Sequence, residues 1–64
     1  MIKVGSIVRL ITPIWSVDQL LSRLGVVINI ENDSHKTIIG VRFVNRHHCH
    51  VTYYMYEDKL LEVS

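Results

Sequence analysis

Sixty-four residues carrying seven Lys and Arg against six Asp and Glu, a net charge of +1 and 48% hydrophobic residues describe one small domain with a thin core, because a chain of this length buries only about 60% of the surface its unfolded form exposes. The balance lacks the basic excess of a domain that lives on nucleic acid, and the single Cys49 excludes an internal disulfide and points to a reducing compartment. No apolar run reaches the roughly 20 residues that span a bilayer, since Arg9 and Pro13 interrupt the best candidate.

The opening Met1-Ile2-Lys3 runs straight into a strand-like pattern with no small-residue cleavage site, so the expectation is a soluble chain without a leader, folded as a single domain over residues 1–64. Lys3 to Ile11, "KVGSIVRLI", is rich in β-branched residues and sets Val8 and Leu10 against Arg9, which predicts a first strand. In "TPIWSVDQLLSRLG", Pro13 ends that strand, Ser16 and Gln19 have capping-box spacing, and Trp15 and Leu20 stand where a hydrophobic staple would put them. A short helical turn is expected there, with Val17, Leu20, Leu21 and Leu24 on one face, Arg23 in its last turn and Gly25 terminating it.

After Gly25, "VVINI" alternates Val26, Ile28 and Ile30 as a second strand, and Glu31 to Lys36, "ENDSHK", supplies the polar turn of a hairpin. "TIIGVRFVN" places Ile39, Val41 and Phe43 in phase, with Gly40 facing away where a missing side chain permits close approach or a bulge. "HVTYYMY" puts Val51, Tyr53 and Met55 on one face and His50, Thr52, Tyr54 and Tyr56 on the other, and "EDKLLEV" reads as a tight turn into a short closing strand. Five short strands in a meander predict an all-β chain forming a small closed or partly open barrel, since closure removes the edges of a short sheet. The helical turn in the first long loop would cover one open end of it.

"NRHHCHVTYY" packs His47, His48, His50 and Cys49 into four consecutive positions. Read as strand, His48 and His50 point one way and His47 and Cys49 the other. One face then offers two ligands, His48 and His50, where a structural zinc takes four, so a loop and strand edge is expected rather than a metal centre. Cys49 with a neighbouring histidine on the opposite face makes a poor nucleophile and base pair. Arg9, Arg42 and Arg46 with Tyr53, Tyr54 and Tyr56 would form a basic strip with stacking surfaces, the way small barrels hold single-stranded nucleic acid. The near-neutral charge weighs against that reading.

The order "GSIVRLITPIW", "GVV", "GVRF" and "EDKLLEV" covers nearly the whole chain, and it resembles the small extrinsic subunit IV family of photosystem I. Members begin with a Gly-Ser-x-Val-Arg strand, carry Pro and then Trp after it, restart at a Gly-x-Val strand, and run through Val-Arg-Phe to an acidic ending. The resemblance implies an SH3-like five-stranded barrel with no catalysis and no cofactor. It also implies a place at the periphery of the thylakoid membrane, on the stromal side in chloroplasts or the cytoplasmic side in cyanobacteria, with photosystem I core subunits and ferredoxin as partners. A basic residue in the loop before the Val-Arg-Phe strand meets the acidic carrier in that family, and the matching position here is Lys36. Exposed large residues among Trp15, Tyr54 and Tyr56 are expected to mark the subunit interface. The chain is also similar to the variable chain of ferredoxin-thioredoxin reductase and to KOW and Tudor-like modules, which put such barrels to other protein- or nucleic-acid-binding uses.

Overall fold

Side chains that alternate between β-branched or aromatic and polar favour an extended, half-buried backbone, and the chain obeys that preference almost throughout. The computed structural model describes residues 2–11 and 19–64. Within them lie β1 (Ile7–Leu10), β2 (Leu24–Asp33), β3 (Lys36–Val44), β4 (His50–Tyr56) and β5 (Leu60–Glu62), with a 3-10 turn at Glu57–Lys59. The strands form one antiparallel sheet in the order β4-β3-β2-β1-β5, so β4 and β5 are its edges.

β2, β3 and β4 follow one another through hairpins, whereas β1 lies between β2 and β5, with Val8 opposite both Gly25 and Glu62. The beginning and end of the described chain are stitched together by this arrangement. Ile7 N–H donates to the Ser64 carbonyl, and Val63 N–H donates to the Ile7 carbonyl. Buried Ser6 accepts from Lys3 N–H at 3.0 Å and donates to the Glu62 carboxylate at 3.2 Å, which satisfies its hydroxyl. β1 is shorter than expected because Gly5 adopts φ 96° and Ser6 N–H donates to the Lys3 carbonyl. A tight turn with glycine at its left-handed position thus precedes the strand.

The core gathers Val8 and Leu10 of β1, Val27 of β2, Ile39, Val41 and Phe43 of β3, Met55 of β4 and Leu60 of β5, with Leu20 from the connection before β2. The expected phases of β1, β3 and β4 are those observed. β2 differs. Val27 is its buried residue and Val26 is 40% exposed, because the register against β3 shifts between Val27 and Asn29. The extra residue, Ile28, reverses the alternation, so Gly25 and Val27 face inward before it and Ile30 packs on the core after it.

The helical turn expected before Gly25 falls partly on residues 12–18, outside the described residues, as do Trp15 and Val17. What is described there is not a helical face. Leu20 bridges Asn45, Leu21 N–H donates to the Val44 carbonyl, and Leu24 opens β2. Leu20 is buried while Leu21 and Leu24 are exposed. Gly25 does not end a helix but sits within β2 against β3.

Candidate docking surface

With the core on one side of the sheet, Arg9, Arg42, Tyr54 and Tyr56 fall on the other, and the register places them. Arg9 stands opposite Leu24, and Arg42 stands opposite Val26. The two arginines therefore share the outer face, diagonally across β2, about 12 Å apart by strand spacing. Beside Arg42 runs a shallow apolar groove lined by Ile7, Leu24, Val26 and Val44, with His50 also along it. Arg46 does not join them on a strand. It follows Val44 into the turn after β3, where its backbone N–H donates to the Gln19 carbonyl.

Lys36 lies at the far end of β3, six residues before Arg42 and thus about 20 Å away along the strand. It opens the strand opposite Asp33, and its ammonium Nζ sits 4.8 Å from the centroid of the Tyr56 ring. A cation over an exposed aromatic face gains about 0.5–1 kcal/mol, so the contact fixes where the charge points more than it stabilises the fold. Asp58 borders the same hollow, and a second groove lined by Ile38, Tyr54, Met55, Tyr56 and Lys59 adjoins it. Of the expected strip, Arg9 and Arg42 share the outer face while Arg46 stands in the loop after β3, and Lys36 lies apart with Tyr56.

The tyrosines divide as their phase dictates. Tyr53 turns inward, its ring 6.2 Å from that of Phe43, whereas Tyr54 and Tyr56 are 60% and 45% exposed. Tyr54 has a structural task as well. It is paired with Gly40, and a Cβ added there would lie 2.8 Å from its ring. The close approach expected at Gly40 is therefore that of a cross-strand aromatic covering bare backbone.

The histidine and cysteine cluster requires a correction. Residues 46–49 are not strand, so the alternation assigned to His47, His48 and Cys49 does not hold. His48 N–H donates to the Asn45 carbonyl, Asn45 N–H donates to the Cys49 carbonyl, and His48 has φ 62°. That is a three-residue hairpin loop with a left-handed residue at its end. The Asn45 side-chain oxygen accepts from His47 N–H at 2.9 Å and Cys49 N–H at 3.0 Å. Among the described residues no three of His, Cys, Asp and Glu gather as a metal-ligand set. The residue missed from sequence is Asn45, whose tendency to bond backbone ahead of it was the available signal. Asn45→Ala should lower unfolding stability by about 1 kcal/mol, read from the urea midpoint. An unchanged midpoint would mean water replaces both bonds without loss.

No family model matches the chain, and neither does any curated protein or solved structure.

Proposed function

We propose that this chain is a non-catalytic docking subunit, an SH3-like barrel that sits on the stromal or cytoplasmic face of photosystem I and helps ferredoxin meet its acceptor side. The observation that carries the reading is Lys36, exposed at the end of the β2–β3 hairpin with its ammonium group over Tyr56. A positive charge presented at the tip of a hairpin speeds and orients encounter with an anionic carrier without requiring high affinity. Support also comes from the order of the sequence blocks. "SIVRL" is β1 with the residue before it, "GVV" follows Leu24 in β2, "GVRF" lies in the second half of β3, and "EDKLLEV" is the 3-10 turn, β5 and Val63. The barrel is supported by β1 pairing with both β2 and β5 and by the bulge in β2, since bulges bend a strand enough for a sheet to curl.

A second reading has its own observation. Arg9 and Arg42 share the outer face with Thr52 and Tyr54, an arrangement that suits a short single strand of nucleic acid.

The test is recovery of the tagged chain from solubilised photosynthetic membranes, together with ferredoxin reduction kinetics for the native chain and Lys36→Glu. Recovery with photosystem I is expected. The second-order rate should fall several-fold in the variant at low salt, with the difference shrinking as ionic strength shortens the screening length below about 10 Å. Migration with a soluble reductase, or with RNA in a salt-sensitive complex, would overturn the photosystem reading, and the latter would favour the second.

A further inference from the structure

The two edges of the sheet are not alike. β5 is three residues long, follows Lys59 and ends in Glu62, and a short edge flanked by charges resists pairing with another chain. β4 is seven residues long, "HVTYYMY", and pairs with β3 in unbroken register from Ile38↔Tyr56 to Val44↔His50. It contains no Lys, Arg, Asp, Glu, Pro or Gly, and no bulge interrupts its ladder. Natural edge strands are usually blunted by one of these devices, and β4 has none.

The hairpin loop fixes which backbone groups point outward. Asn45 and Cys49 form a hydrogen-bonded position, and such positions alternate along an antiparallel ladder. Val51, Tyr53 and Met55 therefore exchange their bonds with β3, while His50, Thr52, Tyr54 and Tyr56 turn their N–H and C=O groups away from it. Among the described residues no strand pairs with that side.

We propose that the free edge of β4 pairs antiparallel with β4 of a second copy of the chain about a two-fold axis at Tyr53, joining two five-stranded sheets into one. A second copy fits because the strand has no charged Lys, Arg, Asp or Glu to set like against like when it meets itself. Pairing about Tyr53 sets Thr52 of each copy opposite Tyr54 of the other, so all four outward-facing positions find partners. Two exposed tyrosines, Tyr54 and Tyr56, then gain cross-strand neighbours. Association also suits a chain of 64 residues with no disulfide, since domains this small gain stability from a partner.

The experiment is sedimentation equilibrium of the full chain from about 10 µM to 1 mM, a range suited to a small interface, beside amide hydrogen exchange at low and high concentration. The native chain should shift from monomer to dimer across that range. The Thr52 and Tyr54 amides should slow at least several-fold as it does so, while those of Val51 and Tyr53 hold their protection at both concentrations. Thr52→Glu adds a charge to the edge, stands opposite Arg42 of β3 rather than repelling it, and should stay monomeric with an unchanged circular dichroism spectrum. A native chain that remains monomeric at 1 mM overturns the proposal. So does a dimer in which the Thr52 and Tyr54 amides exchange as fast as in the monomer, because the interface would then lie elsewhere. The exchange measurement needs no variant, so it decides the matter even if Thr52→Glu fails to fold.

Discussion

Phe43→Ala is expected to remove most of the stability of the chain. Phe43 is the largest of the fully buried side chains, 1% exposed near the end of β3, with the Tyr53 ring on one side and Gly25 of β2 close by. Truncating a buried phenylalanine costs about 3–5 kcal/mol, the lost transfer energy plus the cavity left behind. A core this small supplies no more than about 3–5 kcal/mol of net stability. The two quantities are the same size, so the variant should be largely unfolded at room temperature or stand at its urea midpoint in very little denaturant. Urea titration followed by far-ultraviolet circular dichroism reads this directly. A loss below about 2 kcal/mol would show that Tyr53 or Leu20 collapses into the space, and that the core is softer than its burial suggests.

Gly25→Ala should come next in effect, for the opposite reason. A Cβ at Gly25 would fall 2.6 Å from Val41 Cγ1, 2.9 Å from the Arg42 carbonyl oxygen and 2.9 Å from Phe43 Cδ1. Neither the carbonyl nor the packed ring can step aside without moving β3, so one methyl group forces β2 and β3 apart where they are held closest. Overpacking of this kind costs about 1–3 kcal/mol, and contact with backbone puts Gly25 at the upper end. Gly40→Ala is the internal comparison. Its nearest obstacle is the ring of Tyr54, which is 60% exposed and free to swing outward. The midpoint should therefore drop clearly more for Gly25→Ala than for Gly40→Ala. Equal losses would mean that β3 yields as readily as an exposed ring.

The same glycines show what the sequence reveals and what it hides. Strands with strict alternation were legible. Val8 and Leu10, then Ile39, Val41 and Phe43, then Val51, Tyr53 and Met55 each keep one phase from end to end, and period two is what burial on a single face demands. β2 was not legible in the same way, because Val26, Val27, Ile28 and Ile30 are all β-branched and the bulge makes the inward set change parity midway. A run of uniformly apolar residues carries no mark of where that change falls. Gly25 was misassigned because a glycine after a leucine-rich stretch is equally a helix stop or a place where two strands touch, and only its neighbours across the sheet decide.

For the outer face, phase alone identified Arg9, Arg42, Tyr54 and Tyr56 as outward, and they are. Phase could not tell that Arg9 and Arg42 stand diagonally across β2, nor that Lys36 lies over Tyr56. Those are matters of register between strands. A loop at the histidine and cysteine cluster was expected, but histidine and cysteine favour neither strand nor turn strongly enough to mark its left-handed position at His48.

The placement of β1 between β2 and β5 bears on how the chain reaches its native state. β2, β3 and β4 can zip together hairpin by hairpin, each step closing only a short loop. The β1–β5 ladder instead joins Val8 to Glu62 and Leu10 to Leu60, and the entropy of bringing such distant segments together must be lost before any of their bonds repay it. Topologies dominated by pairings of this kind fold on the millisecond-to-second scale rather than in microseconds. The β2–β3–β4 meander, joined by β1 across a far shorter loop than β5 requires, is thus the natural early species, and for the whole of that interval one side of β1 waits uncovered for a strand that the chain must bring round to it.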